Sequence, residues 1–214
     1  GHAAPALYAA LAHAGYFPRE ELMTLRKLGS RLQGHPDSNQ LPGVEVSTGS
    51  LGQGFSAANG MALVARRRNL GYRVYSILGD GELQEGQVWE AAMFAAHYGL
   101  SNHTAFVDYN HLQIDGDVRE VMNPLPIDEK FAAFGWHVQT IDGHDFEQIE
   151  QAVLRAERDE RPSVIICNTV KGKGVSYMEN AAEWHGKAPD EKLYETARKE
   201  LYDAYMRAKE AREA

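Results

Sequence analysis

Ile77-Leu78-Gly79-Asp80-Gly81-Glu82 decides how this chain is read. The β-rich run Tyr72–Leu78 has strand character, and a helical pattern follows from about Gln84. Between them, Gly-Asp-Gly sits where a parallel sheet presents ligands, beyond the carboxyl end of a strand. The glycines permit close backbone approach, and the next helix turns its N-terminus toward an anion. One carboxylate beside a phosphate cradle suits a magnesium–diphosphate complex, because magnesium takes few protein ligands and completes its shell with phosphate oxygens. The competing reading is a plain turn in which Asp80 caps the helix.

The next strand pattern, Thr104–Asp108, leads into Asp108-Tyr109-Asn110, and twenty-eight residues lie between Gly81 and Asn110. That length holds one helix and one strand, so Asp80 and Asn110 are expected at neighbouring strand ends. Asn110 offers a neutral amide oxygen to a hard cation, and the Leu112 carbonyl is a candidate third ligand.

Two further strand patterns, His137–Ile141 and Ser163–Thr169, alternate with helical ones. Leu51, Phe55, Ala58, Ala62 and Ala65 recur at steps of three and four, as do Val88, Ala91, Ala92 and Ala95. Phe146, Ile149, Val153 and Leu154 form a third stripe, Ala3–Ala14 favours helix, and Leu193, Ala197, Leu201, Tyr205 and Ala208 share a face after Asp190. The expectation is an α/β fold, a largely parallel sheet with helices on both faces. It comprises a binding domain over 1–189 and a C-terminal helix over 190–214 packed on it. Gly29–Gly54 and Lys171–Gly174 read as loops, the second beside the cofactor mouth.

The 214 residues suit one core, and a net charge of -8 without basic runs argues against nucleic acid and anionic membranes. No run approaches the ~18 apolar residues of a membrane span. A lone cysteine, Cys167, and no recognisable signal peptide predict a reducing, cytoplasmic setting. Cys167 reads as buried and inert. His13, His97, His103 and His137 read as structural or exposed, and His144 has only a metal-like composition around it.

Gly-Asp-Gly followed by Asn matches the thiamine diphosphate signature. Four more stretches resemble transketolases in family order: Gly34-His35-Pro36-Asp37; Leu41 to Gly54, reading Leu-Pro-Gly-Val-Glu-Val-Ser-Thr-Gly-Ser-Leu-Gly-Gln-Gly; Leu83-Gln84-Glu85-Gly86; and Trp184-His185-Gly186-Lys187-Ala188-Pro189. The resemblance covers nearly the whole chain. It implies that His2, His35 and His185 are active-site histidines, with His2 and His185 also contacting the cofactor. It implies metal ligation by Asp80, Asn110 and the Leu112 carbonyl. Gly49, Ser50, Leu51, Gly81, Glu82 and Asn110 would line thiamine diphosphate, with magnesium, calcium or manganese as its metal. Ser50 departs from the Pro that family members often carry. Glu85 and Glu90 would lie at an interface between paired active sites.

The family's activating glutamate lies in a separate pyrimidine-binding domain, for which this sequence has no counterpart. A split enzyme is therefore expected, with a C-terminal transketolase subunit supplying that domain in a two-plus-two heterotetramer acting on sugar phosphates. The resemblance also implies residues upstream of Gly1, including another histidine. Deoxyxylulose-phosphate synthases and 2-oxo-acid dehydrogenase subunits share Gly-Asp-Gly and Asn; the Leu-Pro-Gly-Val-Glu loop and Leu-Gln-Glu-Gly favour transketolase. A metal-dependent phosphohydrolase would need a second carboxylate cluster. A non-catalytic homologue fits poorly with an intact metal pair.

Overall fold

The computed structural model describes residues 1–213. Four parallel strands form the central sheet: β1 (Val74–Gly79), β2 (His103–Tyr109), β5 (His137–Asp142) and β6 (Ser163–Asn168), in the order β1-β2-β6-β5. A two-stranded antiparallel ribbon, β3 (Leu112–Gln113) with β4 (Gly116–Asp117), follows β2. The helices are α1 (Ala4–His13), α2 (Gln53–Arg67), α3 (Gly86–His97), α4 (Val118–Val121), α5 (Ile127–Ala133), α6 (Phe146–Arg158) and α7 (Glu191–Glu213). The expected strands and long helices are all present, with ends shifted by a residue or two.

Residues buried on both faces explain the apolar strands. One face carries Leu78, Ala105, Val107, Val164 and Ile166 against Phe55, Ala62, Val88, Ala92, Phe131 and Trp136, from α2, α3, α5 and the turn before β5. The opposite face sets Ile141, Ile165 and Cys167 against Ala152 and Ala156 of α6. Small alanines on the helices let the backbones sit close to the sheet. Residues 15–52, which take in most of the Gly29–Gly54 stretch expected as loop, have a core of their own: Phe17, Leu32, Leu41 and Val44 close over Tyr8, Leu11 and Ala12 of α1.

Two stripes differ from expectation. Phe146 is 84% exposed, because it occupies the first turn of α6, ahead of the stretch whose Ala152 and Ala156 meet the sheet. On α7, Asp190 accepts the Leu193 N–H as a cap, Tyr177 Oη donates to the Leu193 carbonyl, and Ser176 donates twice to Glu200. Ala197 is buried, but Leu201, beside Gly174, is half exposed and Tyr205 more so, so the apolar face beyond the first turns is only partly covered among the described residues. Ala214, the end of the expected helical segment, lies outside the described residues.

A polar pin crosses the first core. His103 is fully buried; its Nδ1 pairs with Asn59 Oδ1 at 2.8 Å and its Nε2 with Ser76 Oγ at 2.7 Å. The Asn59 Oδ1 can only accept, so the ring proton sits on Nδ1 and Nε2 accepts from the serine. Burial pushes this imidazole down to about 4. Its folded value lies below the unfolded one, so the unfolded chain binds the extra proton, and stability falls as pH drops from about 6.5 to 4. The loss should reach about 3 kcal/mol at the lower limit, at ~1.4 kcal/mol per unit. Urea midpoints measured across that window should fall in the native chain and fall less in His103→Gln; equal slopes would remove His103 as the cause.

Candidate active site

Strand register puts the two signature residues side by side. Gly79 of β1 pairs with Asp108 of β2, and the Asp80 N–H donates to the Asp108 carbonyl at 3.2 Å. Asp80 is 1% exposed. Its Oδ1 accepts the Gly81 N–H at 2.8 Å and its Oδ2 the His111 N–H at 2.6 Å. One carboxylate thus ties the turn after β1 to the turn after β2. Burial, with Asp108 nearby, pushes the Asp80 carboxyl up to about 6 against the opposing pull of these amides and Lys171. Asn110 is buried as well; its Oδ1 accepts from Leu112 N and its Nδ2 donates to Asp108. Thr169 Oγ1 donates to the other Asp108 oxygen.

Glu82 forms a second tie. One oxygen accepts the Gly52 N–H at 2.8 Å and the other the Gly79 N–H at 3.2 Å. The stretch Gly49–Gly52 is thereby fastened to the Gly-Asp-Gly turn. Gly52, at φ 78°, starts α2 from the left-handed region, and the Glu82 carboxylate sits at that helix N-terminus, where negative charge is favoured.

The three expected histidines converge although His2 and His185 are 183 positions apart. The His2 and His35 rings stack with centroids 5.2 Å apart, and His2 meets His185 edge-on at 5.3 Å. Hydrogen bonds fix the protons from both ends. Lys171 Nζ can only donate, so His185 Nδ1 accepts from it at 3.3 Å. Gly49 O can only accept, so His2 Nε2 donates to it at 3.2 Å. Between them His185 Nε2–H donates to His2 Nδ1 at 3.0 Å. Burial first, then Lys171 and His2, lowers the His185 basicity, consistent with a neutral ring that accepts from an ammonium. His35 Nδ1 donates to Gly1 O at 3.1 Å, so the neutral ring keeps its bare lone pair on Nε2.

Backbone shape makes this packing possible. Gly49 has φ 145°, and a Cβ there would lie 2.7 Å from the His35 ring. At Gly81 a Cβ would meet Gln113 Cβ at 2.8 Å.

Among the described residues no three His, Cys, Asp or Glu side chains gather as a metal cage. The oxygen set of Asp80 and Asn110 nonetheless fits a hard cation that draws its remaining ligands from phosphate and water. Asp80 lies between two strand-end turns where burial opposes its charge, and a divalent cation would compensate it.

A family profile described as transketolase, thiamine diphosphate binding domain, matches residues 1–204. This chain belongs to the transketolase family. The 6-deoxy-6-sulfo-D-fructose transketolase subunit SqwG of Clostridium sp. (strain MSTE9) is 51% identical over 203 residues, covering 94% of this chain and 74% of the relative. An apulose-4-phosphate transketolase subunit of Actinobacillus succinogenes is 40% identical, with 95% and 74% covered. Human transketolase is 44% identical, but the match covers only 32% of it against 94% of this chain. A transketolase structure from Campylobacter jejuni superimposes with a TM-score of 0.78 at 34% identity, over 84% of this chain and 29% of that one. The chain therefore corresponds to the thiamine-diphosphate-binding domain of transketolases, on a parallel α/β scaffold shared with them.

Two groups in this transketolase domain carry no motif that marks them in the sequence. Lys171 belongs to what the sequence shows only as a loop, yet it contacts His185; a lysine just beyond a β-strand is the available signal. Asp108 stands within Asp-Tyr-Asn, but nothing in the spacing marks it as the anchor for Asn110 and Thr169. Gly49 touches His2 and His35, and both Glu82 oxygens are occupied by backbone amides. Glu85 and Glu90 are at least partly exposed. His144 contacts the backbone of Val170. Cys167 is buried, and burial with Asp108 nearby pushes its thiol up to about 11, which leaves it inert near neutrality.

Gly49→Ala tests the close approach. The added methyl should displace His35 and weaken cofactor binding or turnover by roughly tenfold or more, in line with the large cost of small misplacements at reacting centres. The melting temperature should fall as well, because a side chain at φ 145° is strained. Unchanged turnover with a normal melt would show that the ring tolerates the shift.

Proposed function

We propose that this chain is the diphosphate- and metal-binding subunit of a split transketolase. It would transfer a two-carbon ketol unit from a ketose donor to an aldose acceptor together with a C-terminal partner subunit. The observation that carries this reading is the convergence of Asp80, Asn110, Lys171 and the three histidines on one rim, at the carboxyl ends of β1, β2 and β6. Coverage supports the division of labour: the chain spans about three quarters of relatives named as subunits and about a third of the human transketolase. The partner would bring the pyrimidine-binding domain with its activating glutamate, in a two-plus-two assembly that places Glu85 and Glu90 between chains.

Thiamine diphosphate, when bound, supplies the carbon nucleophile and electron sink for cleaving a bond beside a ketose carbonyl. The chain's own residues hold and aim it. Asp80 and Asn110, with the Leu112 carbonyl, would hold magnesium or a similar divalent cation, and Lys171 would offset the diphosphate charge. The loop Gly49-Ser50-Leu51, fastened by Glu82, gives the cofactor a fixed wall. His35 accepts a proton at Nε2 from a substrate hydroxyl and returns it, because its Nδ1–H is already committed to Gly1 O. His2 and His185, whose ring nitrogens are engaged with each other, Gly49 O and Lys171, form the wall beside His35 and would exchange these bonds for substrate hydroxyls. The relatives named for 6-deoxy-6-sulfo-D-fructose and apulose 4-phosphate point to a donor with a terminal phosphate or sulfonate, whose anionic end would be read by the partner.

Calorimetric titration of thiamine diphosphate with magnesium, into the chain alone and then with its partner, tests the assignment. Binding should be weak alone, tight in the complex and lost in Asp80→Ala. His35→Ala should keep cofactor affinity while kcat falls roughly 10²- to 10⁴-fold, the usual contribution of a positioned acid–base group. Absence of binding in both mixtures would sink the cofactor reading and leave a non-catalytic homologue.

A further inference from the structure

The turn Asp142-Gly143-His144 follows β5 and lies outside the site as described so far. The last residue pair of the β5–β6 ladder is Asp142 with Asn168. Beyond it the Gly143 N–H still donates to the Asn168 carbonyl at 2.9 Å. The His144 N–H then donates back to Asp142 Oδ1 at 2.9 Å, closing a tight turn. That turn returns the imidazole to the ladder, where Nε2 receives the Val170 N–H at 2.8 Å. A backbone amide only donates, so Nε2 carries the lone pair and the neutral ring holds its proton on Nδ1.

The ring nitrogen therefore stands where a further β5 carbonyl would stand if the strand continued. The turn fits closely: a Cβ on Gly143 would lie 2.5 Å from Thr169 Cγ2 and 2.7 Å from Cys167 Cβ. On the other flank, the Thr169 N–H donates to the Tyr109 carbonyl at 3.1 Å, and the Thr169 hydroxyl donates to Asp108. Residues 168–170 are thus tied alternately toward β5 and toward β2. The next residue is Lys171, whose ammonium donates to His185.

We propose that His144 is a positioning residue: its Nε2 prolongs the β5–β6 ladder by one hydrogen bond and thereby fixes the path of Val170 into Lys171. This role rests on the reading of Lys171 and His185 as cofactor-facing groups. A neutral acceptor suits the place, since it holds the amide without adding negative charge close to the Lys171 ammonium.

The test uses the chain with its partner subunit in native form and as His144→Leu, His144→Gln and Lys171→Met, with His144→Leu also made in the Lys171→Met background. Two quantities are read, hydrogen exchange at the Val170 amide and calorimetric affinity for thiamine diphosphate with magnesium. His144→Leu should speed Val170 exchange and weaken affinity roughly three- to tenfold, the range expected for one modest hydrogen bond. His144→Gln, whose amide oxygen still accepts, should recover most of both. In the Lys171→Met background the leucine should cost no further affinity. Unchanged Val170 exchange or affinity in His144→Leu, or a further loss without Lys171, would overturn the proposal. Failure of the native complex to bind the cofactor would instead remove the transketolase reading and this role with it, while the exchange data would still report whether the ladder extension exists.

Discussion

The Asp80 carboxylate is shared between two strand ends, with one oxygen on the Gly81 amide and the other on the His111 amide. Everything around the rim takes its place from that link. Parallel pairing sets β1 and β2 in register, but pairing stops at Gly79 and Asp108, and loops beyond a ladder have no shared geometry of their own. A buried carboxylate that accepts from both turns supplies it. The arrangement is costly without a counter-charge, as the raised proton affinity of Asp80 indicates. A divalent cation held there would relieve the cost, because the same burial that disfavours an isolated anion strengthens its attraction to a cation.

From this link the other ties spread outward in steps. Glu82 brings the Gly49–Gly52 loop to the Gly-Asp-Gly turn, Asp108 holds Asn110 and Thr169, and His144 reaches Val170. Most of these bonds join a side chain to backbone or to a neutral partner, so they define positions without building an ion-pair network. The histidines then meet across rings whose protons are assigned by a lysine at one end and a carbonyl at the other.

Periodicity and turn chemistry carry much of the architecture. Strands buried on both faces leave unbroken apolar runs, and α2 and α3 show their alanine stripes directly. Side-by-side placement of Asp80 and Asn110 follows from spacing alone. The stripes on α6 and α7 mislead because a helical face records where apolar residues lie, not whether anything covers them; Phe146 and Leu201 are apolar and exposed. The small core around Phe17 and Leu32 is hidden because its residues come from turns that have no period. Lys171 shows in the sequence only as part of a loop beside the cofactor mouth and Asp108 has no mark of its own, because their contacts with His185 and Thr169 exist only once the strands have paired. The histidine assignments come from motif resemblance, since an isolated histidine in a loop has no readable periodic signal.

The 183 positions between His2 and His185 impose an order of events on synthesis. A ribosome releases His2 early, while the residues that close around it emerge much later. Until Lys171 and His185 have left the tunnel, His2 can meet only the His35 ring and the rim is open on one side. Closing so long a loop adds an entropy cost that grows only slowly with its length, and a ligand bound only by the closed form offsets it. A ligand that needs both sides of the rim would therefore bind only once Lys171 and His185 are in place.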